Sequence, residues 1–122
     1  MPDVKLTPEA QQMLIRHQTF QQQLQTIMLQ KESISGQSVE LEMALTELKK
    51  ADAKEEVYKA VGSILIKSTK SELEKELREK KETIEVRLKT LDAHENKLRE
   101  KMKQNQEKLE AILKNIDNKE SN

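Results

Sequence analysis

Val57-Tyr58-Lys59-Ala60-Val61-Gly62-Ser63-Ile64-Leu65-Ile66-Lys67 is the one stretch of this 122-residue chain that does not read as helix. Val57, Val61, Ile64 and Ile66 are β-branched and Tyr58 is aromatic, residue types that fit a pleated, half-buried surface. Gly62-Ser63 interrupts them with a residue tolerant of positive φ, as a two-residue hairpin turn requires. The stretch therefore predicts two short strands and a tight turn over about residues 56–68. The bland alternative is a non-helical link between two helices. An isolated two-stranded hairpin is marginal in water, and its outer edges carry unpaired N–H and C=O groups. No other stretch of the chain reads as strand, so a hairpin here needs strands from other chains.

Outward from the hairpin, both flanks read as long helices. Thr7-Pro8-Glu9 opens the first with a hydroxyl cap, a proline at the first helical position and an acid in the first turn. Spacings of three and four then pick out Leu6, Ala10, Met13, His17, Phe20, Leu24, Ile27, Lys31, Ile34, Ser38, Leu41, Leu45 and Leu48. Ten of these thirteen are apolar, a coiled-coil repeat. The charged cluster from Lys49 to Glu56 follows, which places this helix over about 7–52. Ser33-Ile34-Ser35-Gly36-Gln37-Ser38 concentrates poor helix formers and predicts a soft point. Ser71-Glu72-Leu73-Glu74 has the form of a capping box and predicts a second helix over about 71–117. Its seam runs Glu74, Leu77, Lys81, Ile84, Leu88, Leu91, Glu95, Leu98, Met102, Asn105, Leu109, Ile112 and Ile116.

Each helix spans roughly 45 residues, or about 65–70 Å at the helical rise. A short connector predicts an antiparallel pair. With the midpoint of the pairing at Val61, all thirteen layers match: Leu6 with Ile116, Met13 with Leu109, Phe20 with Met102, Leu24 with Leu98, Ile34 with Leu88, Leu45 with Leu77. His17 then shares a layer with Asn105, either as a mutually satisfied pair that fixes register or as two partly hydrated polar residues. The fold class is mainly α, an antiparallel two-helix coiled coil with a single central β-hairpin.

Composition limits function. The chain is 34% hydrophobic and 36% charged, with one Phe, one Tyr and no Trp, so a large globular core is excluded. Its 22 basic and 22 acidic residues are spread without a one-sided basic half, 7 against 9 over residues 1–60 and 15 against 13 beyond, which argues against nucleic acid as a partner. With no Cys there are no disulfides or thiolate metal sites. Neither a secretory leader nor a membrane span is indicated, and a soluble, cytoplasmic protein is expected. His17 and His94 lie on different helices with no nucleophile in a strained turn beside them, so no catalytic constellation forms. Gly36 and Gly62 are the only glycines, so no phosphate cradle exists. The acids alternate with Lys and Arg at helical spacing, the pattern of a salt-bridged face rather than a metal site. No enzyme activity, cofactor or metal is expected.

What remains is surface. Met28, Leu29, Met43 and Val86 lie off the seam singly, as exposed apolar residues often do. Near the termini, Leu6, Met13, Leu14, Ile15, Leu109, Ile112, Leu113 and Ile116 crowd into two turns that a helix pair is too thin to cover. That predicts an apolar binding patch.

A long heptad helix, the run Glu56-Val57-Tyr58-Lys59-Ala60-Val61-Gly62-Ser63-Ile64-Leu65-Ile66-Lys67, and a second long helix opening Ser71-Glu72-Leu73-Glu74-Lys75-Glu76-Leu77 together resemble the β-class subunit of archaeal prefoldin over nearly the whole chain. The single hairpin matches the β class rather than the two-hairpin α class. The resemblance implies a hexamer of two α-class and four β-class subunits, in which hairpins join an oligomeric β-barrel. Val57, Tyr58, Val61, Ile64, Leu65 and Ile66 would be the assembly residues. It further implies an ATP-independent holdase that grips non-native polypeptides between coiled-coil tips and delivers them to a group II chaperonin. A coiled-coil tether binding one defined partner is the alternative, although a plain tether needs no β segment amid its heptads.

Overall fold

The computed structural model describes residues 6–120, and the side chains of residues 6–115. Four elements follow in order: α1 (Pro8–Lys50), β1 (Val57–Val61), β2 (Ile64–Ser68) and α2 (Lys70–Glu120). They divide between two compact units, Met1–Leu29 with Leu91–Asn122, and Gln30–Thr90.

The unit Gln30–Thr90 is built around the hairpin. β1 and β2 pair antiparallel, with Val57 opposite Ser68 and Val61 opposite Ile64, leaving Gly62-Ser63 as the two-residue loop. Gly62 has φ 59° and is alone among the described residues in the positive-φ region. Positive φ at the first loop position only is the signature of a type II′ turn, whose twist matches that of the strands. In the same unit Ile34, Leu45 and Leu48 of α1 and Ile84 of α2 are buried. Lys81 of the α2 seam pairs with Glu42, next to its expected layer partner Leu41. The contact holds the Glu42 carboxyl below its ordinary range and the Lys81 ammonium above its own.

The helix ends are tied within the same unit. Helix α2 begins at Lys70, capped by Thr69, whose Oγ1 accepts from the Glu72 amide at 3.2 Å. The cap thus lies two residues before the expected Ser71. Thr69-Lys70-Ser71-Glu72 carries the same hydroxyl-x-x-Glu pattern and comes first after the strand ends. Lys70 Nζ donates to the carbonyls of Ala51 (2.7 Å) and Lys49 (3.3 Å), satisfying acceptors that the end of α1 leaves unpaired. Replacing it in Lys70→Met should cost about 1.5 kcal/mol, the low end for hydrogen bonds from a charged donor, read as a loss in urea denaturation at fixed protein concentration.

Helix α1 runs through Gly36 unbroken, and a Cβ built there meets nothing within 4 Å. Gly36→Ala should therefore raise stability by up to about 1 kcal/mol. In the native chain, amides of residues 33–38 should exchange faster than those of the flanking turns, as hydrogen exchange would show.

In the unit Met1–Leu29 with Leu91–Asn122, Thr7 caps α1 as expected, its Oγ1 accepting from the Ala10 amide at 3.1 Å. Ala10, Met13, Ile27 and Asn105 are buried, and the other seam residues with described side chains are half-buried. Across both units no described seam side chain is exposed, the polar His17, Lys31, Ser38, Glu74, Lys81 and Glu95 included. Asn105 is not satisfied by His17. Its Nδ2 donates 2.8 Å to the Met13 carbonyl, one helical turn before His17. This places Asn105 close to its expected layer but gives it a backbone partner, which no choice of side chain on the facing helix could have announced.

Candidate functional site

Two apolar surfaces stand out, one in each unit. The first is the hairpin. The register puts Val57, Lys59, Val61, Ile64, Ile66 and Ser68 on one face and Tyr58, Ala60, Leu65 and Lys67 on the other. On the first face Val57 and Ser68 are half-buried at the base, while Val61, Ile64 and Ile66 are 47%, 62% and 48% exposed. On the second face Tyr58 and Leu65 are likewise exposed. Large aliphatic side chains are thus bare on both faces of a two-stranded sheet, and burying each such side chain would stabilise by about 1.5–3 kcal/mol.

Surface ion pairs link the sheet to α2 and its two strands to each other. Lys59, amid the aliphatic face, reaches Glu76 of α2 at 2.8 Å and lowers its pKa, anchoring β1 to the helix. On the other face, Tyr58 Oη donates to Glu56 at 2.8 Å and Lys67 Nζ bridges from β2 to the same carboxylate at 3.1 Å. The hydroxyl first, and the ammonium after it, hold the Glu56 carboxyl below its ordinary range, and Glu56 in turn raises the Tyr58 phenol.

The second surface lies in the unit containing the termini. Leu14 and Ile15 are exposed, Ile15 by 63%, while Leu6, Leu109, Ile112 and Leu113 are half-buried. Met13, expected to reach outward with them, is instead buried at 8%, because its position belongs to the seam and its carbonyl carries Asn105. The side chain of Ile116 lies outside the described residues. Further along α1, Met28, Leu29 and Met43 are bare, joined by Val39, which the sequence reading passed over. Its signal was available: Val39 and Met43 stand four apart, both off the seam. On α2 the outward face is polar and mostly charged, and Val86 is the one large apolar side chain exposed on it among the described residues.

Among the described residues no group of His, Asp and Glu could hold a metal ion, and no helix is long and apolar enough to cross a membrane. The fold is a pair of long helices joined by a two-stranded hairpin, with one bare apolar surface in each unit. Comparison with known proteins makes this specific: the prefoldin subunit family matches residues 11–116, and the chain belongs to that family. It is 45% identical over 93 residues to prefoldin subunit beta of Archaeoglobus fulgidus, covering 76% of this chain and 80% of that one. It is 39% identical over 92 residues to prefoldin subunit beta of Pyrococcus horikoshii, covering 75% and 79%. The crystal structure of the prefoldin beta subunit from Thermococcus strain KS-1 superposes with a TM-score of 0.83 at 38% identity, over 89% of this chain and 96% of that one. Prefoldin subunits are components of chaperones, and they assemble into oligomers with other prefoldin subunits.

Proposed function

We propose that this chain is a holdase subunit that captures non-native polypeptides without ATP at the apolar end carrying Leu14 and Ile15, and passes them to a group II chaperonin. The observation that carries the reading is the placement of bare apolar side chains. One set lies on a sheet that needs foreign strands, and another lies in the separate unit that holds the chain ends. The first set suits assembly, with Val57, Tyr58, Val61, Ile64, Leu65 and Ile66 entering a shared barrel in a hexamer of two α-class and four β-class subunits. The second suits capture. Non-native chains present apolar segments of no fixed shape, and Leu14 and Ile15, backed by half-buried Leu6, Leu109, Ile112 and Leu113, offer an apolar surface that is reachable and undemanding in geometry. Ile116 belongs to the same proposed patch by its place in the heptads. The cytoplasm, where unfolded chains and chaperonins meet, is the proposed location.

The test is suppression of aggregation of several unrelated denatured proteins by the assembled complex, with no nucleotide added. Suppression of all of them supports the reading. Activity toward a single protein would instead show a tether for one defined partner.

A further inference from the structure

The unit that holds the chain ends also carries a groove of about 400 Å³ between the helices, away from Leu14 and Ile15. Its floor is apolar, formed by Ile27 of α1 and Leu98 of α2. Its α2 rim carries His94, Lys97 and Lys101, and its α1 rim is neutral, with Gln23 and Thr26. Two facts make this rim unusual in a chain whose charges balance overall. From His17 to Gln30, helix α1 has no Lys, Arg, Asp or Glu at all, so it offers no carboxylate across the groove. Along α2, Lys97 and Lys101 stand four residues apart, a like-charge spacing that disfavours the helix. In the other unit Lys59 of β1 pairs with Glu76 and Lys81 with Glu42. Neither Lys97 nor Lys101 has an ion-pair partner among the described residues, and neighbouring Glu95 is engaged by Arg99 at 3.3 Å.

We infer that this groove is a docking site for an acidic polypeptide segment carrying an aliphatic side chain. Its carboxylates would lie on Lys97 and Lys101, and the aliphatic group on the Ile27–Leu98 floor. Charge complementarity selects the occupant. The rim supplies two lysines with no ion-pair partner among the described residues, and a volume at the low end for ligand sites admits side chains rather than a folded domain. The neutral Gln23 and Thr26 rim can hydrogen-bond a peptide backbone without repelling its acids. The surface is distinct from the terminal patch, so the inference goes beyond the holdase reading and is tested without it.

The probe is a fluorescein-labelled dodecapeptide of Glu and Leu, compared with its Gln/Leu and Lys/Leu counterparts. Binding to the chain in its native assembly is read by anisotropy at two salt concentrations. The Glu/Leu peptide should bind about tenfold or more tighter than the Gln/Leu peptide, and rising salt should weaken it. Lys97→Glu/Lys101→Glu should lose at least about tenfold, while Lys89→Glu/Lys103→Glu, the same change in net charge on exposed positions outside the groove, should lose less than about twofold. If the charge-reversed pair fails to assemble, Lys97→Gln/Lys101→Gln serves, and it should abolish most of the salt dependence. Equal binding of the Glu and Gln peptides would overturn the proposal, as would equal losses in the two Glu pairs. Loss of binding in Leu14→Ser/Ile15→Ser would place the peptide on the terminal patch instead. Displacement by an oligothymidylate at the concentration that displaces with free Glu/Leu peptide would show a general polyanion site.

Discussion

Ile64→Asp and Ile66→Asp should each break the complex into smaller species while most of the helix content survives. Both side chains lie on the hairpin face that carries Val61, and they are 62% and 48% exposed in the single chain. The single chain therefore tolerates a carboxylate at either position with little loss. In an assembly that covers this face, the same carboxylate must be desolvated without a partner, which costs several kcal/mol and forfeits the burial of the isoleucine as well. In the proposed hexamer four copies would carry the change, so the penalties would accumulate. Light scattering should report a mass well below that of the native complex, and circular dichroism should report nearly the native helix signal. An unchanged mass for both variants would contradict the assembly role of this face.

Leu14→Ser/Ile15→Ser, with Leu113→Ser added on α2, should leave the assembled mass unchanged and reduce aggregation suppression several-fold. Leu14 and Ile15 are exposed in the free chain, so their replacement removes little packing, and the hairpin lies in the other compact unit. Substitution is cleaner than trimming the ends. Deleting residues 1–15 and the chain from Leu109 onward makes the same prediction, but it also removes the Met13 carbonyl that satisfies buried Asn105. An amide orphaned in the seam costs about 1–3 kcal/mol and would loosen the unit for reasons unrelated to capture. Full suppression by the assembled triple variant would move the capture surface elsewhere, most plainly to Met28 and Leu29, which are 50% and 60% exposed on the same helix.

Much of this architecture was legible because it is periodic. A heptad seam is read from spacing alone, and the seam positions predicted as core are the shielded ones, down to polar Lys31, Ser38 and Lys81. The hairpin was legible for a different reason. β-branched residues flank a single glycine where positive φ is needed, and Gly62 adopts it. The misreadings share a cause, which is that overlapping or backbone-borne signals do not resolve in sequence. Thr69-x-x-Glu72 and Ser71-x-x-Glu74 are the same capping pattern two residues apart, and only the end of β2 at Ser68 decides between them. The partner of Asn105 is a carbonyl, invisible in any side-chain pattern. At the terminal patch, Met13 satisfied two descriptions, seam residue and capture residue. Geometry permits one, since a side chain facing the partner helix is withdrawn from solvent.

The capture claim is tested most directly by a photo-cross-linking side chain placed at position 15 and, separately, at position 86 of the assembled complex. Ile15 and Val86 are each 63% exposed and each aliphatic, so solvent access alone would label them equally. Irradiation with several unrelated denatured proteins should give adducts with all of them at position 15 and few at position 86. Equal yields at the two positions, or adducts at 86 alone, would contradict capture at the terminal patch.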